Sequence, residues 1–307
     1  MSNNVKEEKM KYLINGIRGF CMALADSVPG VSGGTVAFIL GFYDKFINSL
    51  DSLMFGKKEE KKKGITFLIK IGIGWGIGMI LAVLVLTNLF QTQIYKVSSV
   101  FIGFIVFSIP LIIKQEKECL KGKYKNLIFT MIGIIIVGTI TYFNPMSGDG
   151  NIVDISNLNI GLVLYILAAA MIAISAMVLP GISGSTLLLI FGLYIPIMSA
   201  IKEFLHFNLS YLPVLIIFGL GILVGIALVI RLIKIALKKY RSQTIYCIIG
   251  LMIGSLYAIV MGATTLEVPQ APMNLKTFSI VFFIIGGAII IGLEKLKTML
   301  ERKNTKG

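Results

Sequence analysis

Seven residues, Pro29-Gly30-Val31-Ser32-Gly33-Gly34-Thr35, return almost unchanged as Pro180-Gly181-Ile182-Ser183-Gly184-Ser185-Thr186. Each copy cuts an otherwise apolar segment with proline, glycines and hydroxyls. Proline lacks a backbone donor, glycine permits unusual dihedrals, and serine or threonine caps a helix start. Each copy therefore predicts a break followed by a fresh helix.

The surroundings of the motif are membrane-like. Hydrophobic residues make up 56% of the chain and charged residues 14%, with a mean hydropathy of +0.88. No soluble domain with a solvated surface has that balance. Six apolar runs approach the roughly 20 residues a bilayer requires: about 66–89, 98–113, 126–143, 213–233, 244–261 and 277–293. Two further regions, 12–50 and 161–201, hold the motifs at their centres and read as re-entrant helical hairpins. The start of the chain is charged and lacks the small-residue cleavage site of a signal peptide, so it is expected to stay.

The net charge of +14 lies in short Lys/Arg clusters between apolar runs: before residue 12, at 57–63, 114–125, 231–241 and 294–307. The other connections, 90–97, 144–160, 202–212 and 262–276, carry only Lys96, Lys202 and Lys276. By the positive-inside rule the first group is cytoplasmic and the second external, with both termini cytoplasmic. No aromatic interleaving or groove-reading motif accompanies the charge, which argues against nucleic acid. Cys21, Cys119 and Cys247 are far apart and His206 stands alone, so neither a disulfide framework nor a metal site is expected, and no cofactor is implied.

Offset matching extends the repeat. Gly41 pairs with Gly192 and Tyr43 with Tyr194, while Gly72, Gly74 and Gly78 align with Gly219, Gly221 and Gly225, and Gly103 and Ser108 with Gly250 and Ser255. The span glycines, Gly76 included, read as close helix packing. The chain is thus one all-α polytopic membrane domain over 1–307, with a first repeat at about 12–143, a second at about 161–293 and a basic tail at 294–307. Each half holds one broken region plus three spans, an odd number of crossings, so the halves are expected to be inverted relative to one another.

Inverted broken helices are how many transporters place a site at mid-membrane. Hydroxyls and helix-start amides at Ser32, Gly33, Gly34, Thr35, Ser183, Gly184, Ser185 and Thr186 would converge there on an anionic group. The alternative is that both motifs are packing turns whose hydroxyls satisfy their own backbone. Arg18 suits anion binding or snorkelling to the headgroups. Asp26 suits capping of the loop or a protonatable coupling role. Asp44, Glu203, Glu267 and His206 read as interfacial groups, and Trp75 as packing.

The segments Asp26-Ser27-Val28-Pro29-Gly30-Val31-Ser32-Gly33-Gly34-Thr35 and Leu179-Pro180-Gly181-Ile182-Ser183-Gly184-Ser185-Thr186 resemble a family long labelled domain of unknown function 368. The resemblance covers essentially the whole chain. It implies a flippase-type translocase of the bacterial plasma membrane that returns the lipid carrier undecaprenyl phosphate from the outer to the inner leaflet for cell-envelope synthesis. The partners so implied are a polyprenyl-phosphate substrate and membrane lipids.

Two other functions share parts of this pattern. An undecaprenyl-pyrophosphate phosphatase carries an arginine after the motif serine, where this chain has Gly33 and Gly184, and without a base or charge clamp phosphoryl transfer lacks its stabilisers. A transporter of a small soluble anion would use the same helix starts.

Overall fold

The computed structural model describes residues 2–26, 32–81, 87–143, 153–155, 158–265 and 269–304. Among these residues thirteen α-helices run in chain order as α1 Ser2–Asp26, α2 Gly33–Ile39, α3 Tyr43–Phe55, α4 Lys58–Leu81, α5 Thr87–Gln115, α6 Lys117–Leu120, α7 Leu127–Tyr142, α8 Ile160–Val178, α9 Gly184–Ile190, α10 Tyr194–Leu205, α11 Leu212–Lys239, α12 Arg241–Met261 and α13 Ile280–Asn304. The first motif's Pro29, Gly30 and Val31 lie outside the described residues, as does Glu267.

Among the described residues, six helical segments are long and apolar enough to cross a membrane: Lys58–Leu81, Thr92–Gln115, Tyr124–Tyr142, Ile160–Val178, Leu209–Lys239 and Arg241–Thr264. The bent pair formed by α9 and α10, with 109° between Gly184–Ile190 and Tyr194–Ile201, makes up to a seventh. Five of the six expected runs are therefore found, and two expectations change. The run at 277–293 appears as the shorter apolar stretch Ile280–Gly292 within α13. The region 161–201 breaks at the motif as expected, but α8, unbroken for 19 residues before it, is itself long and apolar enough to cross, so the region holds a candidate span followed by a bent pair. Its alanines, with no proline or glycine beyond Gly161 before the motif, leave nothing to end the helix earlier.

The bends after α2 and α9 share one cause. Gly41 and Gly192 have φ of 67° and 65°, a left-handed conformation that glycine adopts without strain. At each, the glycine amide bonds three residues back and the next amide five back: Gly41 to Phe38 O and Phe42 to Ala37 O, then Gly192 to Leu189 O and Leu193 to Leu188 O. That is the Schellman stop, used twice.

Packing divides the helices into three groups. In the first half α1 lies along α4 with α2 and α3 beside them, and in the second α8 lies along α11 with α9 and α10. The remaining long helices exchange partners between halves, α5 pairing with α13 and α7 with α12. The 61% buried Arg241–Thr264 segment makes α12 the most enclosed of the candidate spans. Many large apolar side chains face outward, among them Ile73, Ile135 and Leu232, as expected where lipid rather than water is the solvent.

Glycine sets these pairings, since lipid gives helices no hydrophobic reason to associate and close backbone approach must do so. A Cβ on Gly74 would stand 2.0 Å from Gly16 O and one on Gly78 2.9 Å from Phe20 O. In the second half Gly221 and Gly225 meet Leu167 O and Met171 O at 2.7 and 2.8 Å in the same way. The exchanged pairs repeat the device, with Gly103 against Phe283 O at 2.2 Å and Gly250 against Thr130 O at 2.1 Å. Gly72, Gly76 and Gly219, expected to pack closely, have no neighbour within 4 Å of such a Cβ, because they lie on the opposite side of their helices. Gly250→Ala should therefore lower stability by about 1–3 kcal/mol through overpacking, whereas Gly76→Ala should stay within about 0.5 kcal/mol of the parent. Thermal unfolding of the two variants in one detergent provides the comparison.

Candidate functional site: two interrupted helices that meet

The two motifs come together. Ser32 Oγ donates to Leu179 O at 3.2 Å, Gly181 N donates to Thr35 Oγ1 at 2.8 Å, and Tyr43 OH donates to Val178 O at 3.2 Å. Gly34 lies against the same strand of backbone, since a Cβ there would come 2.6 Å from Val178 O. Gly181 takes φ of 91° and abuts Leu251 of α12, where a Cβ would meet the carbonyl at 2.5 Å. The described parts of the two motifs thus rest on one another, and the second also rests on the most enclosed helix.

The local chemistry differs between them. Ser32 and Thr35 are almost fully buried, at 1% exposure each. Ser32 Oγ accepts from Thr35 N at 3.3 Å, so it is the N-cap of α2, and lies 3.1 Å from Thr35 Oγ1. The hydroxyls of the first motif are occupied within the protein. In the second motif Ser183 makes no side-chain cap to α9 and instead shares a 2.8 Å hydrogen bond with Ser185 Oγ. Ser185 and Thr186 are only half-buried, so their hydroxyls are the more accessible ones.

Asp26 ends α1 and holds the start of α2. Its Oδ1 accepts from Gly33 N at 2.6 Å and its Oδ2 from Trp75 Nε1 at 2.9 Å. A carboxylate at a helix start meets an otherwise unpaired amide, and Gly33 gives it room, since a Cβ there would stand 2.8 Å from Oδ2. Trp75 is thus a hydrogen-bonding residue and not packing alone. Its position offered no sign of this, because the partner is 49 residues away. The counterpart of Asp26 in the second half is Met177, so only one short helix receives a carboxylate.

Arg18 is two turns earlier on the unbroken α1, with its Nη1 3.1 Å from Asn15 Oδ1 and its guanidinium 4.9 Å from the Phe42 ring centroid. It therefore sits at the α2/α3 bend. A rise of about 12 Å along the helix separates its Cα from that of Asp26.

A second polar cluster joins the halves at the end of the molecule rich in Lys and Arg. Lys234 of α11 pairs with Asp51 of α3. Arg241, at the start of α12, bonds both Glu116 oxygens at 2.9 and 2.6 Å and Asp44 at 3.0 Å. Asp44, read as a solvated interfacial group, is a half-exposed partner in this cluster. Burial alone pushes the Glu116 carboxyl up, but the hydrogen bonds and charge of Arg241 outweigh it and hold the group below the usual carboxylate range. Its contribution is present above that range and is lost as pH falls through the depressed value. Among the described residues no cluster of His, Cys, Asp and Glu could hold a metal ion.

Asp26→Asn puts an amide donor against one of two N–H groups, and should lower stability by about 1–3 kcal/mol. Trp75→Phe should do less, because the carboxylate keeps its Gly33 amide. Unfolding midpoints of the two variants measure the order.

The family described as "VCA0040-like: Undecaprenyl phosphate translocase-like" matches residues 22–277. The Staphylococcus aureus protein named "Polyprenyl-phosphate transporter" is 35% identical over 289 residues, 92% of this chain and 96% of the relative. The Vibrio cholerae protein of the same name is 31% identical over 319 residues, 93% of this chain and 97% of the relative. Both are named as transporters and not as enzymes. No solved structure matches the chain. Matched over most of its length by the family and over nine-tenths by its relatives, this multi-pass helical chain belongs to the undecaprenyl phosphate translocase-like family.

Proposed function

We propose that the protein carries the phosphate head of undecaprenyl phosphate, or a closely similar polyprenyl phosphate, across the bacterial plasma membrane from the outer to the inner leaflet, recycling the lipid carrier of envelope synthesis. The observation that carries this reading is its likeness, over nearly all of its length, to two relatives named as polyprenyl-phosphate transporters. The site fits the substrate's chemistry. A phosphate monoester crossing hydrocarbon needs hydrogen-bond donors in place of water, and its isoprenoid tail needs none.

The head is received where the two interrupted helices meet, and the donors that reach it first are Ser185 and Thr186. Ser183, Gly184 and the first motif's Ser32, Gly33, Gly34 and Thr35 lie buried behind them and become available as the two motifs part. Arg18 supplies a cation at the adjoining bend, and Asp26, by gaining or losing a proton, couples the start of α2 to its surroundings. The two halves lie inverted in the bilayer, with both termini and the basic clusters on the cytoplasmic side, as the positive-inside rule requires. On that side the Asp51–Lys234 and Arg241 contacts hold the halves together, so this arrangement is closed toward the cytoplasm. Delivery of the head to the inner leaflet requires those ion pairs to separate.

Proteoliposomes carrying a labelled polyprenyl monophosphate in one leaflet test the proposal. Transfer of label to the other leaflet should depend on the protein, and replacing Ser185 by Ala together with Thr186 by Val should reduce the rate about tenfold or more, each lost hydrogen bond to a charged group being worth about 1.5–3 kcal/mol. Leaflet exchange unchanged by the protein would reject the function, and normal exchange in the double variant would move the site. In a chain whose three native cysteines are replaced, bridging Asp51→Cys to Lys234→Cys with a short bis-thiol reagent should stop exchange, and cleaving the bridge should restore it.

A further inference from the structure

Trp75 directs its indole toward Asp26, yet Ile73 and Ile77, two positions to either side of it on α4, are exposed. On that outer face α1 and α4 enclose a groove of about 660 Å³, within the range of about 300–1,000 Å³ usual for small-molecule sites. Its floor is the Gly16/Gly74 contact, where the two backbones nearly touch. Ile17 and Phe20 of α1 and Ile73 and Ile77 of α4 make the walls. A seam that lacks side chains between two rows of bulky ones is an apolar channel along the helix pair.

One end of the groove is polar. Tyr12, Thr66 and Lys70 line it, and the Lys70 ammonium lies 3.5 Å from the centroid of the Tyr12 ring. A cation held on a ring face keeps its hydrogen-bond donors. Among the described residues no carboxylate pairs with Lys70, although it stands within a helix apolar enough to cross the bilayer, where an ionised group normally has a counter-charge. About two turns nearer the start of α4, on the same side, Lys62 and Lys63 are exposed. One cation therefore lines the mouth of an apolar channel, and two more lie about two turns beyond it on the same helix.

We propose that this groove is a binding site for an anionic phospholipid, one acyl chain lying along the Gly16/Gly74 floor and the phosphate meeting Lys70 under Lys62 and Lys63. The lipid seals the α1/α4 seam behind the Asp26–Trp75 contact and belongs to the leaflet on the basic side. It is held and not transported, because the channel lies on the outer side of α4 and Trp75 turns to the meeting turns on the other.

The test uses the full chain purified in detergent, titrated with phosphatidylglycerol or phosphatidylcholine and followed by native mass spectrometry. One phosphatidylglycerol should bind per chain in preference to phosphatidylcholine. Lys70→Gln should weaken it about tenfold, Lys70→Arg should preserve it, and Ile73→Trp should abolish it by filling the groove. Ile135→Trp, at an exposed position of α7 outside the groove, should leave it unchanged. Size-exclusion profiles and helical circular dichroism identify any variant that has lost its fold, and Lys70→Arg against Lys70→Gln then decides alone. Equal retention of both phospholipids, or wild-type binding by Lys70→Gln, would overturn the proposal. So would conversion of a dimer to a monomer by Ile73→Trp, which would make the occupant a second copy, and so would binding of polyprenyl phosphate there in place of phosphatidylglycerol. No readout involves leaflet exchange, so this inference and the transport function fail separately.

Discussion

A helix broken inside hydrocarbon leaves amides and carbonyls that lipid cannot satisfy, at several kcal/mol for each. This chain interrupts two of its apolar regions with such motifs, and residues beside each supply partners for the other. The carbonyls of Val178 and Leu179 receive the hydroxyls of Tyr43 and Ser32, while the Gly181 amide finds Thr35. Their contact is therefore a condition of the fold, and it also places the polar groups of the two motifs at one location.

The helices around the breaks divide into two kinds of support. The pairs α1/α4 and α8/α11 carry one broken region each, whereas α5/α13 and α7/α12 exchange partners across the halves and join them. Glycine contacts of nearly the same spacing serve both kinds. The likeness of the halves ends at the charged groups. Asp26 has Met177 as its counterpart, and the residues matching Asp44 and Asp51 by the same offset are Ile195 and Lys202. The repeat supplies a common scaffold, and a few unmatched side chains make its two ends chemically unequal.

Local signals in the sequence predicted the local structure well. The offset of the heptapeptide repeat places α9 at residues matching α2 at both ends, because each helix is bounded by residues inside the matched stretch: a motif serine before it and Gly41 or Gly192 after it. Ser32 as a cap was readable for the same reason. The start of α8 and its stop at the motif were readable, but its length, enough to cross a bilayer by itself, was not taken as a full span because a proline-glycine motif marks where a helix stops and not how much membrane lies behind it. Trp75 with Asp26, and Arg241 with Glu116 and Asp44, depend on side chains brought together over 49 to 197 positions, which no local pattern encodes. The distinction between close-packed Gly74 and Gly78 and open Gly72 and Gly76 follows from which face of α4 meets α1, and a run of alternating glycines leaves that face undetermined.

The Gly34 contact bears on how such a protein is dissected experimentally. Alanine scanning is designed to remove atoms, and its silent positions are usually taken as unimportant. At Gly34 and Gly181 the same substitution inserts a methyl group between two backbones, at a junction where neither chain can retreat without uncovering a polar group. The places most intolerant of change are thus ones with no side chain to delete, and a map drawn from deletions alone would leave the centre of the molecule blank.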